Sequence, residues 1–128
     1  MKTLRLILAE LNTPSAQRDQ WFLWCAAQMA HALIGVVIAG GLLFFLQPWC
    51  AFATAAIGYA LAKELPDFYR APSWATARDC VQDALFVTAG AALAVAIEGW
   101  HVTLFLAAVI AAAIGLVWGT LIRLQVKP

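Results

Sequence analysis

The chain has 128 residues, of which 64% are apolar and 12% charged, against about 45–50% and about 25% in ordinary soluble domains. So small a protein has too little interior to hide that much apolar surface, which excludes a soluble globular fold and a disordered tail. A net charge of +1 provides no field to hold a polyanion, so no nucleic-acid partner is expected.

In chain order, the first element is an amphipathic segment over 1–13. Leu4, Leu6, Ile7, Leu8 and Leu11 are interspersed with Lys2, Arg5 and Glu10, which suits a short helix lying on a membrane surface. A signal peptide would need a longer apolar core and a small-residue cleavage site. Asn12-Thr13-Pro14 marks a break instead, with Thr13 as N-cap and Pro14 at the first helical position. Residues 20–62 then contain no Asp, Glu, Lys or Arg. About 20 apolar residues cross a bilayer, so this stretch is too long for one crossing. Gln47-Pro48-Trp49 interrupts it with a helix breaker and an interfacial aromatic residue. The prediction is a first helix over about 21–46, a tight turn, and a second helix over about 49–65.

A polar loop follows over about 66–76, carrying Pro66, Asp67, Arg70 and Pro72. The hydropathy pattern then repeats, with an apolar stretch over 84–97, a polar turn at Glu98-Gly99-Trp100-His101, and an apolar stretch over 102–122. The predicted fold class is an all-α polytopic membrane protein. Residues 14–128 form four transmembrane helices as two antiparallel hairpins, about 21–65 and 77–123. The basic residues support this count. Lys2, Arg5 and Arg18 precede the first helix, Lys63, Arg70 and Arg78 flank the central loop, and Arg123 and Lys127 follow the fourth helix. Four crossings place all of them on one side, which the positive-inside rule makes cytoplasmic, with both termini inside. Trp49 and Trp100 are then expected at the outer interface, and Trp21, Trp24 and Trp74 at the inner one.

Small residues recur four apart at Thr54, Gly58 and Ala62, and at Ala111, Gly115 and Gly119. Such stripes serve either packing within the bundle or a homo-oligomer. Cys25, Cys50 and Cys80 lack the spacing of a disulfide framework or a metal motif and are expected to pack as small apolar residues.

Polar side chains at membrane depth mark functional candidates. His31 precedes the first outer turn by about 16 residues, Glu64 follows it by a similar number, and Asp83 precedes the second outer turn likewise. At 1.5 Å per residue all three stand roughly 24 Å from the outer turns, near the cytoplasmic edge of the hydrocarbon. Glu64 and Asp67 are three apart, Asp79 and Asp83 four apart, so each pair shares a helix face if the second helix runs through Pro66. Gln28, His31 and Gly35 form a stripe on the first helix. The candidate site therefore comprises His31, Lys63, Glu64, Asp67, Asp79 and Asp83, with Gln28 and Arg78 in support.

Clustered carboxylates with one imidazole suit a divalent ion such as Mg²⁺ or Mn²⁺, and a lipid phosphate could complete its coordination. His31, Glu64, Asp67 and Asp83 are the candidate ligands. Like charges pressed together require a cation, either Lys63, Arg78, protonated His31 or a bound metal. Structural roles stand beside these. Asp79 follows Thr76 by three, a capping-box spacing that would only start a helix. Lys63 and Arg78 are also topology signals, and His31 is also a packing residue. Glu98 and His101 belong to a solvated turn.

The string Lys63-Glu64-Leu65-Pro66-Asp67, then Trp74, then Asp79 and Asp83 followed by small residues through Gly90, resembles the YfiM-type family of small membrane-associated proteins of bacteria and phages. Gln28 to His31 is similar to that family's upstream histidine segment. The broader pattern more distantly resembles VanZ-like proteins. The resemblance spans about 27–95 and implies that His31, Lys63, Glu64, Asp67, Asp79 and Asp83 act as a unit in a bacterial inner membrane, without naming a reaction. Some relatives resemble lipoproteins, but Cys25 here lacks a lipobox. Three functions compete: a membrane protein with a cytoplasm-facing cation or lipid-headgroup site, a phage holin-like pore former, and a structural or assembly subunit. Ser73 and Thr76 lack triad spacing, so no nucleophile identifies an enzyme.

Overall fold

A computed structural model describes residues 21–125; the expected interfacial segment over 1–13, with Thr13, Pro14, Lys2, Arg5, Arg18 and Lys127, lies outside them. Every described element is helical: α1 (Trp21–Leu42), α2 (Pro48–Tyr59), a π-helical turn (Ala60–Glu64), α3 (Leu65–Arg70), α4 (Trp74–Glu98) and α5 (Val102–Gln125). Helices α1, α4 and α5 are long and apolar enough to cross a membrane.

The ends follow local chemistry. Helix α1 stops at Leu42, four residues before the expected end, because Gly40 and Gly41 weaken its last turn. The chain then tightens, with Leu46 N–H donating to Leu42 O at 2.8 Å. Pro48 opens α2 at its first position, where a missing N–H costs nothing.

Pro66 does not end this helix, which corrects the expected loop over 66–76. An α-helix would drive the proline ring into the carbonyl four residues back. The chain widens instead, and Leu65 N–H bonds to Ala60 O, five residues back. Pro66 thereby sits in the first turn of α3, and the loop shrinks to 71–73.

Ser73 caps α4, its Oγ accepting from Thr76 N–H at 3.0 Å. This overturns the capping-box reading of Thr76 and Asp79: the cap lies three residues earlier, and Asp79 falls inside the helix. The α4–α5 turn closes with His101 N–H bonded to Ala96 O at 2.9 Å and Trp100 at φ 55°. This is a Schellman closure whose left-handed position, usually glycine, holds a tryptophan.

The tightest packing joins α1 to α4. A methyl group on Gly35 would collide with Val87 O, and one on Gly90 with Ala32 O, so the two backbones touch. Ala39, Ala55, Ala91 and Ala94 form the adjoining core, covered by Val36, Leu42 and Phe52. The contacts set directions. Gln28 meets Asp83 and Gly35 meets Val87, so α1 and α4 run the same way. Cys25 meets Thr120 at 3.2 Å, and Trp24 covers Gly119, so α5 runs opposite to α1. The interior is alanine-rich, while Phe22, Met29, Val37, Ile114, Val117 and Trp118 point outward. A bundle with small residues inside and large apolar ones outside suits lipid, not water, as its solvent.

Two expectations about faces change. Trp24 is not interfacial: it is 3% exposed, with the Arg123 guanidinium stacked 4.2 Å from its ring centroid. Burial under a cation that is itself buried holds both side chains inside. The two small-residue stripes also differ. Gly115 meets Phe86 and Gly119 meets Trp24, whereas nothing lies within 4 Å of the Gly58 position. Thr54, Gly58 and Ala62 are exposed and do not pack within the bundle.

Candidate metal centre

His31 on α1, Glu64 at the end of the π turn and Asp83 on α4 converge, with one ligand atom of each lying within 4.8 Å of the others. His31 is 6% exposed and Glu64 5%. His31 Nδ1 lies 3.5 Å from Asp83 Oδ1, beyond hydrogen-bonding range. Gln28 Nε2 donates to the same Oδ1 at 2.6 Å, fixing the carboxylate. Cys80 donates through Sγ to the Glu64 backbone carbonyl at 3.4 Å. The Tyr59 ring stands edge-on to His31, with centroids 6.0 Å apart.

The π turn explains how Glu64 reaches this place. In an α-helix, residues 59 and 64 face directions more than 90° apart. In the widened turn they come to one side, so Tyr59 and Glu64 both address α1. Glu64 is buried, while Leu61, Ala62 and Leu65 on either side of it are exposed. Glu64 also lines a groove of about 360 Å³ between the π turn and α4, together with Leu61, Cys80 and Ala84.

The charged neighbours are committed elsewhere. Lys63 bonds to Asp67, and Arg70 holds the other Asp67 oxygen at 2.9 Å. Asp67 therefore does not join His31, Glu64 and Asp83, contrary to its expected role as a ligand. Asp67 follows Glu64 by three within regular α geometry, but Lys63 and Arg70 hold its carboxylate away from the site. Asp79 pairs with Arg123 at 3.4 Å, and Arg78 Nε approaches Asp79 Oδ1 at 4.0 Å. Neither Lys63 nor Arg78 forms an ion pair with Glu64 or Asp83 among the described residues; Lys63 acts on these carboxylates only at longer range.

Three polar atoms here are buried with no hydrogen-bond partner among the described residues: His31 Nδ1, Glu64 Oε1 and Gln28 Oε1. Buried groups of this kind are ordinarily satisfied, and an orphan points to a missing water, ion or ligand. Donor atoms 2.0–2.3 Å from one ion lie roughly 3 to 4.5 Å from each other.

Sequence reasoning missed Tyr59, Cys80 and Arg123. Tyr59 escaped because its spacing of five from Glu64 has meaning only in a π turn. Cys80 lines an apolar groove as expected, but its Sγ also donates to the Glu64 backbone carbonyl. Arg123 looked like a tail residue after the last span, yet it is 6% exposed. Its signal was Gly119, one turn earlier, which makes room for a partner ring. No family model, curated protein or solved structure matches this chain.

Proposed function

We propose that this chain is a four-span protein of a bacterial inner membrane that binds a divalent cation between His31, Glu64 and Asp83. The observation that carries the reading is the convergence of one imidazole and two acids from three separate helical segments, with His31 Nδ1 and Glu64 Oε1 buried and unpartnered among the described residues. Two carboxylates and a neutral imidazole make a doubly negative cage. A divalent ion neutralises it, and the imidazole favours Mn²⁺ or a similar transition ion over Mg²⁺. Three protein ligands leave positions for water or a phosphate oxygen, and a lipid headgroup is the phosphate source at this depth. The resemblance to YfiM-type proteins adds support for treating His31, Glu64 and Asp83 as one unit.

The four-span reading rests on helix direction. Parallel α1 and α4 require the chain to return between them. The helical run from Pro48 to Arg70 is that return, about 34 Å long at 1.5 Å per residue. The positive-inside rule then puts the 71–73 loop and both termini in the cytoplasm.

The test is metal content and binding on the full chain, purified in detergent, stripped with chelator and titrated with Mn²⁺ under electron paramagnetic resonance. One ion per chain is expected, bound less tightly as pH falls because the ligands must shed protons. Glu64→Gln, Asp83→Asn and His31→Gln should each weaken binding by about tenfold or more, the range seen on disturbing metal shells. Asp67→Asn should bind normally. Stoichiometric binding that survives Asp83→Asn, or no binding of Mn²⁺, Zn²⁺ or Mg²⁺, refutes the site.

A further inference from the structure

A second polar cluster lies one helical turn from the acids and has the opposite sign. Arg78, Asp79 and Arg123 bring two guanidinium groups to one carboxylate among the described residues. Arg123 is the better satisfied of the two. It donates to Gly119 O at 3.3 Å and to Asp79 at 3.4 Å and stacks on Trp24. Among the described residues Arg78 has only the 4.0 Å approach to Asp79. Arg78 Nε, Arg123 Nε and Gln82 Oε1 are buried and without a hydrogen-bond partner among the described residues. Among the described residues the cluster thus sets two cations against one anion and leaves donors and one acceptor unfilled.

A groove of about 460 Å³ between α4 and α5 reaches Gln82, one helical turn from Arg78 on α4. Its floor is made of small residues, Ala89, Ala111 and Gly115, and its walls include Leu85 and Trp118. Gln82 is its polar lining residue. Arg78, Gln82, Leu85 and Ala89 follow spacings of four, three and four, so they form one stripe along α4. The stripe that lines the slot therefore continues, one turn beyond Gln82, to Arg78. The slot spans two helical turns, about 10 Å at 1.5 Å per residue, which accommodates a stretch of acyl chain.

We propose that the α4–α5 groove is a specific site for an anionic phospholipid, with an acyl chain lying in the slot and the phosphate held by Arg78. Charge complementarity selects this occupant. A zwitterionic lipid adds a cation where two guanidinium groups already exceed one carboxylate, whereas an anionic headgroup balances the excess. Gln82 Oε1 accepts a hydrogen bond from a headgroup hydroxyl, which phosphatidylglycerol carries. Basic pockets between helices on the cytoplasmic side of a membrane recognise lipid headgroups by the same physics. The proposal is independent of the metal centre, since none of its residues is a ligand there.

The experiment is native mass spectrometry of the full chain in detergent, with equal phosphatidylglycerol and phosphatidylcholine. Wild type should retain phosphatidylglycerol about fivefold over phosphatidylcholine, the worth of one arginine near a lipid surface. Arg78→Gln should bring the two to parity. Ala111→Leu, at an exposed position, should fill the slot and reduce retention of phosphatidylglycerol while the helical circular dichroism stays unchanged. Glycerol phosphate in excess should not displace the lipid, because it has no chain for the slot. Equal retention of both lipids by wild type, an undiminished preference in Arg78→Gln, unchanged retention in Ala111→Leu, or displacement by glycerol phosphate overturns the proposal.

Discussion

At Trp100 the backbone has φ 55°, a conformation in which a side chain crowds the neighbouring carbonyl. The indole is 88% exposed, so it repays little of that cost by packing within the bundle. Trp100→Gly should therefore raise stability by about 1 kcal/mol, the usual left-handed penalty, measured as a higher unfolding midpoint in detergent. On the proposed topology Trp100 stands at a membrane interface, and the same variant should then gain less in a bilayer than in micelles. At the site, the common level of His31, Glu64 and Asp83 was countable from the two outer turns. What could not be counted was aim. Glu64 and Asp67 looked like a pair because regular helix geometry puts residues three apart on one side. What separates them is the pairing of Asp67 with Lys63 and Arg70, and Pro66 gives no hint from its identity alone whether a helix ends or widens.

At the scale of elements, α1 and α4 meet through glycine backbones, so their interface tolerates no added atoms. Gly90→Ala should cost at least about 2 kcal/mol, as overpacked contacts do, because the new methyl meets the carbonyl of Ala32. Gly40→Ala, with nothing within 4 Å, should instead gain up to about 1 kcal/mol from reduced backbone freedom. Thermal unfolding followed by circular dichroism separates the two; equal effects would mean that α1 and α4 are not in backbone contact. The sequence made the helices legible, because long apolar runs broken at Gln47-Pro48-Trp49 and at Glu98 to His101 have few other readings. It left the partners obscure. Gly35 and Gly90 resemble Gly40 and Gly58 in composition and neighbours, and only the crossing distinguishes them.

At the scale of the whole molecule, the separation of large apolar residues outside from alanine and polar groups inside explains why hydropathy alone located the chain in lipid. Helix direction carries the topology further. In a Cys50→Ser background, Gln47→Cys should react with an impermeant maleimide added to intact cells lacking the outer-membrane barrier. Ser73→Cys should react only after lysis. Labelling of both from outside would rule out the return of the chain through the membrane between α1 and α4. The two polar clusters then sit at one end of the bundle with opposite charge. Glu64 brings its acid from the α2 side of the central pair, and Arg123 its guanidinium from α5.

The widened turn before Pro66 has a consequence for how this protein tolerates change over time. One surplus residue, accommodated by a bond that skips five positions, is what rotates Glu64 inward. The acid's bearing thus depends on how many residues precede it in the turn, more than on which residues they are. Drift in side-chain identity across 60–63 leaves that bearing alone, whereas loss or gain of a single codon there would swing the carboxylate toward the lipid and leave the hydrophobic profile untouched.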